Sequence, residues 1–189
     1  DRLMQSLVRR RRLGGSVAVL FLDLDHFKLI NESLGHLAGD HLLRLIGQRL
    51  VDTVRAVDTV ARFGGDEFAV LLEDAGSQNE VIGVAGRVLH VMSMPLVVDA
   101  RPTVIGASVG VAFAQDGDSA DALMRNADLA VYKAKSGGRA RVAVYEPAMQ
   151  QAVGTRLELH QALRRALARD EFALHYQPIV ALDDGALIG

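Results

Sequence analysis

Two carboxylates follow a pair of glycines in the stretch Arg62-Phe63-Gly64-Gly65-Asp66-Glu67-Phe68. The apolar residues Val57, Val60 and Phe63 lead in, and residues 68–72 lead out. Gly64-Gly65 in that setting predicts a tight β-hairpin, because glycine takes positive φ without a Cβ clash. Asp66 and Glu67 then sit at the tip as adjacent like charges, and any burial would raise the pKa of at least one. The pair can hold a divalent cation while an anionic ligand lies against the glycine backbone. It can equally be an exposed acidic hairpin tip, and these residues alone leave both readings open. A second acidic pair, Asp23 and Asp25, ends the most apolar run of the chain. Asp25 stands where it could cap the next helix. Asp23 lies too far in for that and is the better metal candidate. Lys135 and Arg139 flank a Gly137-Gly138 pair, where they could bind phosphate or simply complement a helix C-terminus.

These residues need a frame. Residues 17–22 are all apolar and predict a central strand buried on both faces. Residues 1–12 read as a helix that Gly14-Gly15 ends. Its Arg9 to Arg12 run reads as a solvated helix end suited to the macrodipole, in preference to a phosphate or partner contact. Residues 26–34 read as a short helix and 38–54 as a longer amphipathic one, broken by Gly35. Helices are also expected over 78–94 and 120–135, the latter capped by Ser119. Strands are expected over 96–98 and 102–113, paired as a hairpin, and over 141–145. The order for residues 16–145 is β-α-α-β-β-α-β-β-α-β. It gives an α+β fold with a mixed central sheet, a β-α-β-β-α-β core and flanking helices. After Glu146 the composition shifts. Residues 147–170 read as a charged connecting helix. Phe172, Leu174 and Tyr176 alternate as a strand, and Asp183-Asp184-Gly185 is a turn toward a returning strand.

The totals bound the function. The chain has 189 residues, half of them hydrophobic, enough for one α/β-type domain and part of a second. Asp+Glu is 23 against Lys+Arg 21, a formal charge of −2, so it does not coat nucleic acid. Cysteine is absent, which excludes disulfides and thiolate metal sites and agrees with a reducing compartment. No apolar run is long enough for a membrane span, and no signal peptide is expected. The chain reads as a piece of something longer.

At this point the motifs resemble those of the GGDEF-domain diguanylate cyclases. Arg62 to Phe68 matches the family signature. Asp23-Leu24-Asp25-His26-Phe27-Lys28 with Asn31 matches its first strand–helix junction, and Gly35-His36 with Gly39-Asp40 matches the loop that follows. Arg55-x-x-Asp58 precedes the glycine turn at the family's spacing. Asp128-x-Ala130-x-Tyr132-x-Ala134-Lys135, then Gly138-Arg139, matches the late helix. The match covers residues 16–145. The tail, with Phe172-x-Leu174-x-Tyr176-Gln177-Pro178-Ile179-Val180, resembles the opening of an EAL-type cyclic di-GMP phosphodiesterase domain. The division implied is an N-terminal helix over 1–15, a GGDEF domain over 16–146, a connecting helix over 147–170 and an incomplete EAL domain over 171–189.

The resemblance implies a palm-like nucleotide-cyclase fold and the condensation of two GTP into cyclic di-GMP, releasing two pyrophosphates, in a homodimer. It implies Mg2+ (or Mn2+) held by Asp23, Asp66 and the Leu24 carbonyl, with Glu67 beside the reacting centre as ligand or as base. Gly64 and Gly65 would let the nucleotide lie against the backbone. Asn31 and Asp40 would read guanine, whose donors an acidic acceptor matches. Phe27 and Lys28 would approach the terminal phosphates, clamped from the other side by Lys135 and Arg139. Arg55 and Asp58 match the family's inhibitory product site, with Arg87 on the next helix as a candidate second contact; the plainer reading of Arg55 and Asp58 is a surface ion pair. A cytoplasmic location follows, with room for a membrane tether in a longer parent. The sequence departs from the family in having Glu32 after Asn31, and in lacking the usual Leu-Thr-x-Leu-x-Asn-Arg segment before the first helix. The alternative function is a GTP-binding regulatory domain that controls an attached EAL phosphodiesterase. A class III nucleotide cyclase or polymerase-palm relative shares the metal logic but not the glycine turn together with Arg55-x-x-Asp58.

Overall fold

The computed structural model describes residues 1–151 and, beyond them, 162, 165–167, 169, 171–175, 177–180, 182–183 and 186–187. The chain forms two compact units, Asp1–Gln150 and Gln151–Gly189. The first unit contains α1 (Arg2–Leu13), β1 (Val17–Leu24), α2 (Phe27–Leu34), α3 (His36–Thr53), β2 (Thr59–Gly64), β3 (Glu67–Glu73), α4 (Gln78–Met92), β4 (Leu96–Val98), β5 (Arg101–Thr103), β6 (Ala107–Phe113), α5 (Ala120–Ser136) and β7 (Val142–Val144).

The main sheet runs β2-β3-β1-β6-β7. β1 is central and antiparallel to both β3 and β6, while β7 joins β6 in parallel. The sheet is therefore mixed, and β1-α3-β2-β3-α4-β6 is the expected β-α-β-β-α-β core. Side-chain alternation in β1 explains why its apolar run is unbroken. Ala18, Leu20, Leu22 and Leu24 face Leu42, Ile46 and Leu50 of α3 and Val81, Ala85 and Val88 of α4. Val17, Val19 and Phe21 face Leu7 of α1 and Leu123, Ala127 and Val131 of α5. The same alternation places Asp23, two residues after Phe21, on the α5 side.

Local signals set the helix starts. Ser77 and Glu80 form a capping box at α4. The Ser119 hydroxyl accepts from the Ala122 amide at 3.1 Å, as expected for a capped α5.

Several expectations are corrected. Gly64 closes β2, and of the glycine pair only Gly65 has positive φ, 46°. A bulge between Arg62 and Gly64 moves the turn one residue onward, to Gly65 and Asp66. Residues 102–113 are not one strand. β5 pairs with β4, whereas β6 joins the main sheet. The chain leaves the hairpin at 104–106, where the Gly106 carbonyl accepts from the Asp25 amide at 2.9 Å. The arginine run is not merely solvated. Arg9 pairs with Asp74 at 3.0 Å, Arg10 with Asp116 at 2.9 Å, and Arg11 donates to the Asp118 carbonyl at 2.9 Å. It pins the loops after β3 and β6 to α1.

Residues 147–150 of the first unit are helical, and in the second unit helix is present at 151, 162 and 165–167. The remaining residues of the helix expected over 147–170 lie outside the described residues, apart from Arg169 in a turn. Residues 171–175 are not paired into the expected strand, and Tyr176 lies outside the described residues. Val180 and Leu187 form an antiparallel bridge across a turn at 182–183. Among the described residues, no helix is long and apolar enough to cross a membrane.

Candidate active site

The acidic residues converge where β1 ends. Register pairs Asp23 with Glu67 directly across the β1–β3 ladder. Directly opposed residues share a sheet face, so two like charges meet there, an unfavourable arrangement without a compensating cation. The turn holding Asp66 is tied to β1 by the Leu24 amide, which donates to the Asp66 carbonyl at 3.2 Å. The Arg62 guanidinium braces the turn from outside with two hydrogen bonds to the Gly65 carbonyl, at 3.0 and 2.7 Å. From the last turn of α5, the Lys135 Nζ reaches the Asp23 Oδ2 at 2.5 Å.

Both opposed carboxyls titrate above their ordinary range. Burial is the main cause for Asp23, and Asp66 and Asp25 add repulsion; the Lys135 contact offsets only part of this. Burial also leads for Glu67, followed by repulsion from Asp23, Asp128 and Asp66. A divalent cation bound between these carboxylates would relieve this repulsion. Among the described residues no three His, Asp or Glu side chains converge into a ready metal cage. Mg2+ takes one or two carboxylates and completes its shell with water and substrate phosphate. Asp23 and Asp66 are the hard-oxygen donors that could hold such an ion.

A second set lies at the α2–α3 junction. Asn31 projects from α2 toward Gly39 of α3, and a Cβ at position 39 would collide with its Oδ1 and lie 3.3 Å from the Phe27 ring. Glycine at 39 thus makes room for Asn31. The Asn31 Oδ1 is buried without a hydrogen-bond partner, an unfavourable state that a ligand donor would end. Asp40 follows on the exposed side. Phe27 opens α2 and is buried, whereas Lys28 is exposed and 3.6 Å from Glu32.

Asp25 does not cap α2. His26 is the N-cap position of α2 and makes no side-chain cap, and Asp25 is buried among hydrogen bonds to Ser108 and Ala140. Arg139, 4.0 Å from Asp25, is half exposed beside a cavity of about 470 Å3 that His26, Gly106 and Ala140 also line.

Arg55 and Asp58 are adjacent but do not pair through their charges. The Asp58 carboxylate accepts from the Arg55 amide at 3.0 Å, and the Asp58 amide donates to the Arg55 carbonyl at 3.0 Å. This closed turn overturns the plain ion-pair reading and leaves the exposed guanidinium outside it. Arg87 is exposed on α4, and no hydrogen bond or ion pair joins it to Arg55 or Asp58 among the described residues.

Asp128 was missed as a site residue. It shares with Glu67 a cavity of about 220 Å3, also lined by Phe21, Phe63, Met124 and Arg125. The signal was available: Asp128 precedes Lys135 by seven residues, about two helical turns, and so lies on the same face of α5. A larger cavity of about 590 Å3 runs along the outer face of α1, lined by Met4, Val8 and Leu13 and by no carboxylate.

Comparison with known proteins agrees with this arrangement. The family model described as "Diguanylate cyclase, GGDEF domain" matches residues 1–141. The cyclic di-GMP phosphodiesterase NbdA of Pseudomonas aeruginosa is 42% identical over 183 residues, 96% of this chain and 23% of its own length. The bifunctional diguanylate cyclase/cyclic di-GMP phosphodiesterase MucR of the same organism is 40% identical over 190 residues, 100% of this chain and 28% of its own. The chain thus spans about a quarter of these relatives. The crystal structure of the GGDEF domain of YfiN (TpbB), also from Pseudomonas aeruginosa, superposes with a TM-score of 0.74 at 37% identity, covering 77% of this chain and 91% of that one. A buried acidic strand end, a braced glycine turn and a matching family model over most of its length place this chain in the GGDEF-domain family of diguanylate cyclases.

Proposed function

We propose that the chain is a diguanylate cyclase module that condenses two GTP into cyclic di-GMP. The observation that carries this is the opposition of Asp23 and Glu67 beside the Gly65 turn, with Lys135 on Asp23. Two copies face each other, each with one GTP. The 3′-oxygen of each nucleotide bonds to the α-phosphorus of the other, the bond to the β-phosphate oxygen breaks, and pyrophosphate leaves. Glu67 would stand near the attacking hydroxyl, to take up its proton or to complete the metal shell; a carboxyl held above its ordinary range suits the first task. Asp23, Asp66 and the Leu24 carbonyl would hold Mg2+, or Mn2+ in its place, which would supply charge neutralisation for the transferred phosphoryl group. Gly64 and Gly65 admit the nucleotide close to the backbone. Phe27 at the start of α2 with Lys28, and Lys135 with Arg139, bind the terminal phosphates.

Asn31 and Asp40 read guanine. The buried, unpartnered Asn31 Oδ1 supports this, since an unsatisfied acceptor rejects a base lacking the matching donor. Arg55, with its guanidinium free of Asp58, grips product phosphate at a separate inhibitory site to which Asp58 and Arg87 belong. Residues 171–189 begin an EAL-type domain joined to the GGDEF domain, residues 16–146, through residues 147–170. The module works as a homodimer in the cytoplasm, where GTP is found.

One observation favours a second reading. NbdA, 42% identical across 96% of this chain, is named a phosphodiesterase, which fits a GGDEF domain that binds GTP and regulates an attached EAL domain. Chromatography of GTP incubated with the chain and Mg2+ separates the two. Cyclic di-GMP that disappears in Asp66→Ala supports the cyclase. GTP binding with no product, even in a forced dimer, supports the regulator and overturns the cyclase.

A further inference from the structure

Asp25 is buried at 7% exposure just past the end of β1. Its Oδ1 accepts from the Ser108 hydroxyl at 2.9 Å and its Oδ2 from the Ala140 amide at 3.1 Å. Its own amide donates to the Gly106 carbonyl at 2.9 Å. A carboxylate remains buried only where such partners replace its hydration. The partners lie on two separate segments, 106–108 at the start of β6 and the turn after α5, and the second is unusual. Gly138, Arg139 and Ala140 have φ of 116°, 62° and 45°. Successive left-handed residues of which only the first is glycine are strained, and such backbone persists only when surrounding contacts hold it. Four hydrogen bonds hold it: the Gly138 amide to the Lys135 carbonyl at 3.3 Å, the Arg139 amide to the Ala134 carbonyl at 3.1 Å, the Arg141 Nε to the Arg139 carbonyl at 3.2 Å, and the Ala140 amide to Asp25, which alone of the four comes from outside residues 134–141. The turn carries Arg139, whose half-exposed guanidinium borders the cavity at the start of α2.

We propose that Asp25 is a positioning residue for the nucleotide: it clamps the strained 138–140 turn so that Arg139 is presented to the terminal phosphates at the start of α2. The proposal rests on the assignment of Arg139 to phosphate made above and adds the residue through which that arginine is placed. Asp25 itself never touches the ligand. Its carboxylate is occupied by Ser108 and Ala140, with Arg139 alongside, so its removal acts on phosphate affinity and not on guanine affinity.

The test is calorimetric binding of Mg2+ with 3′-deoxyguanosine triphosphate, which lacks the attacking hydroxyl, beside binding of GMP, which lacks the terminal phosphates. Arg139→Ala is expected to weaken triphosphate binding about tenfold, the loss of a charge-assisted contact. Asp25→Ala is expected to weaken it similarly, to leave GMP binding unchanged, and to add nothing in the Arg139→Ala background. Asp25→Asn can donate to Ser108 and still accept from Ala140, so it retains most of the affinity. Ala140→Gly, which relaxes the left-handed turn, restores part of what Asp25→Ala loses. Ala140 is exposed, so Ala140→Val strains the turn with Asp25 intact and gives the same selective loss even where Asp25→Ala fails to fold.

A wild-type chain that binds neither ligand overturns both the nucleotide reading and this proposal. Wild-type binding with no loss in Arg139→Ala overturns the phosphate role of Arg139 and the proposal with it. Loss in Arg139→Ala but none in folded Asp25→Ala or Ala140→Val overturns the proposal alone. Equal loss of GMP, or additive losses in the double variant, also overturns it, because Asp25 then supports the fold at large.

Discussion

Lys135→Met isolates the compensation on which the acidic site depends. Lys135 reaches Asp23 at 2.5 Å, and the two side chains are 34% and 14% exposed. An exposed pair contributes at most about 1 kcal/mol, whereas breaking a buried one costs about 3–5 kcal/mol. This pair lies between, so the loss is about 2 kcal/mol, or about 4–8 °C in melting temperature for a chain of this length. The pH dependence gives a second handle. The folded-state pKa of Asp23 is raised above its ordinary value of 3.8. A carboxyl with a raised folded pKa binds more protons folded than unfolded, so its part of the stability falls as pH rises through that window and is level above it. Methionine removes the Lys135 contributions that lower the Asp23 pKa, and so raises it further. The gap between wild type and variant is therefore full at neutral pH and narrows as pH falls through the raised folded-state window, where Asp23 takes up its proton in wild type and variant alike. Urea unfolding of the ligand-free chain at neutral pH and near pH 4 measures both. Equal stability at neutral pH, or a gap unchanged between the two conditions, refutes the reasoning.

Further outcomes follow from other parts of the site. Gly39→Ala forces Asn31 aside, so it lowers GTP affinity about tenfold, the loss of one buried hydrogen-bonding partner, and narrows the preference for GTP over ATP, as read by competition binding. Glu67→Gln removes a charge raised by burial and by three neighbouring carboxylates, so it stabilises the ligand-free chain by about 0.5–1 kcal/mol in denaturant titration while abolishing product. It also removes the Glu67 part of the stability decline as pH rises above 4.5, the ordinary value for that carboxyl.

Much of the frame was legible because it depends on short-range pattern. The unbroken apolar run at 17–22 could only be a strand covered on both faces, and it is the central strand of the sheet. Strand alternation then set the side on which Asp23 emerges. What the sequence hid depends on contacts between distant segments. Nothing within 102–113 marks where one sheet is left for another; the Asp25 amide, from the far side of the fold, takes the Gly106 carbonyl at that point. Asp25 looked like a helix cap because its partners, Ser108 and Ala140, lie 83 and 115 residues away in sequence. The bulge beside Phe63, which packs edge-on to Phe21 with ring centroids 5.5 Å apart, moved the turn from Gly64-Gly65 to Gly65-Asp66. Arg9, Arg10 and Arg11 read as solvated because the loops that receive them, near Asp74 and Asp116, have no periodicity to announce them.

The most direct measurement of the central claim is the rate of cyclic di-GMP formation from GTP and Mg2+ as a function of protein concentration. One domain holds one GTP and no partner hydroxyl, so a cyclase limited by pairing gives a rate rising with the square of concentration, and a forced dimer removes that dependence. A chain that binds GTP yet yields no cyclic di-GMP at any concentration, paired or not, contradicts the account.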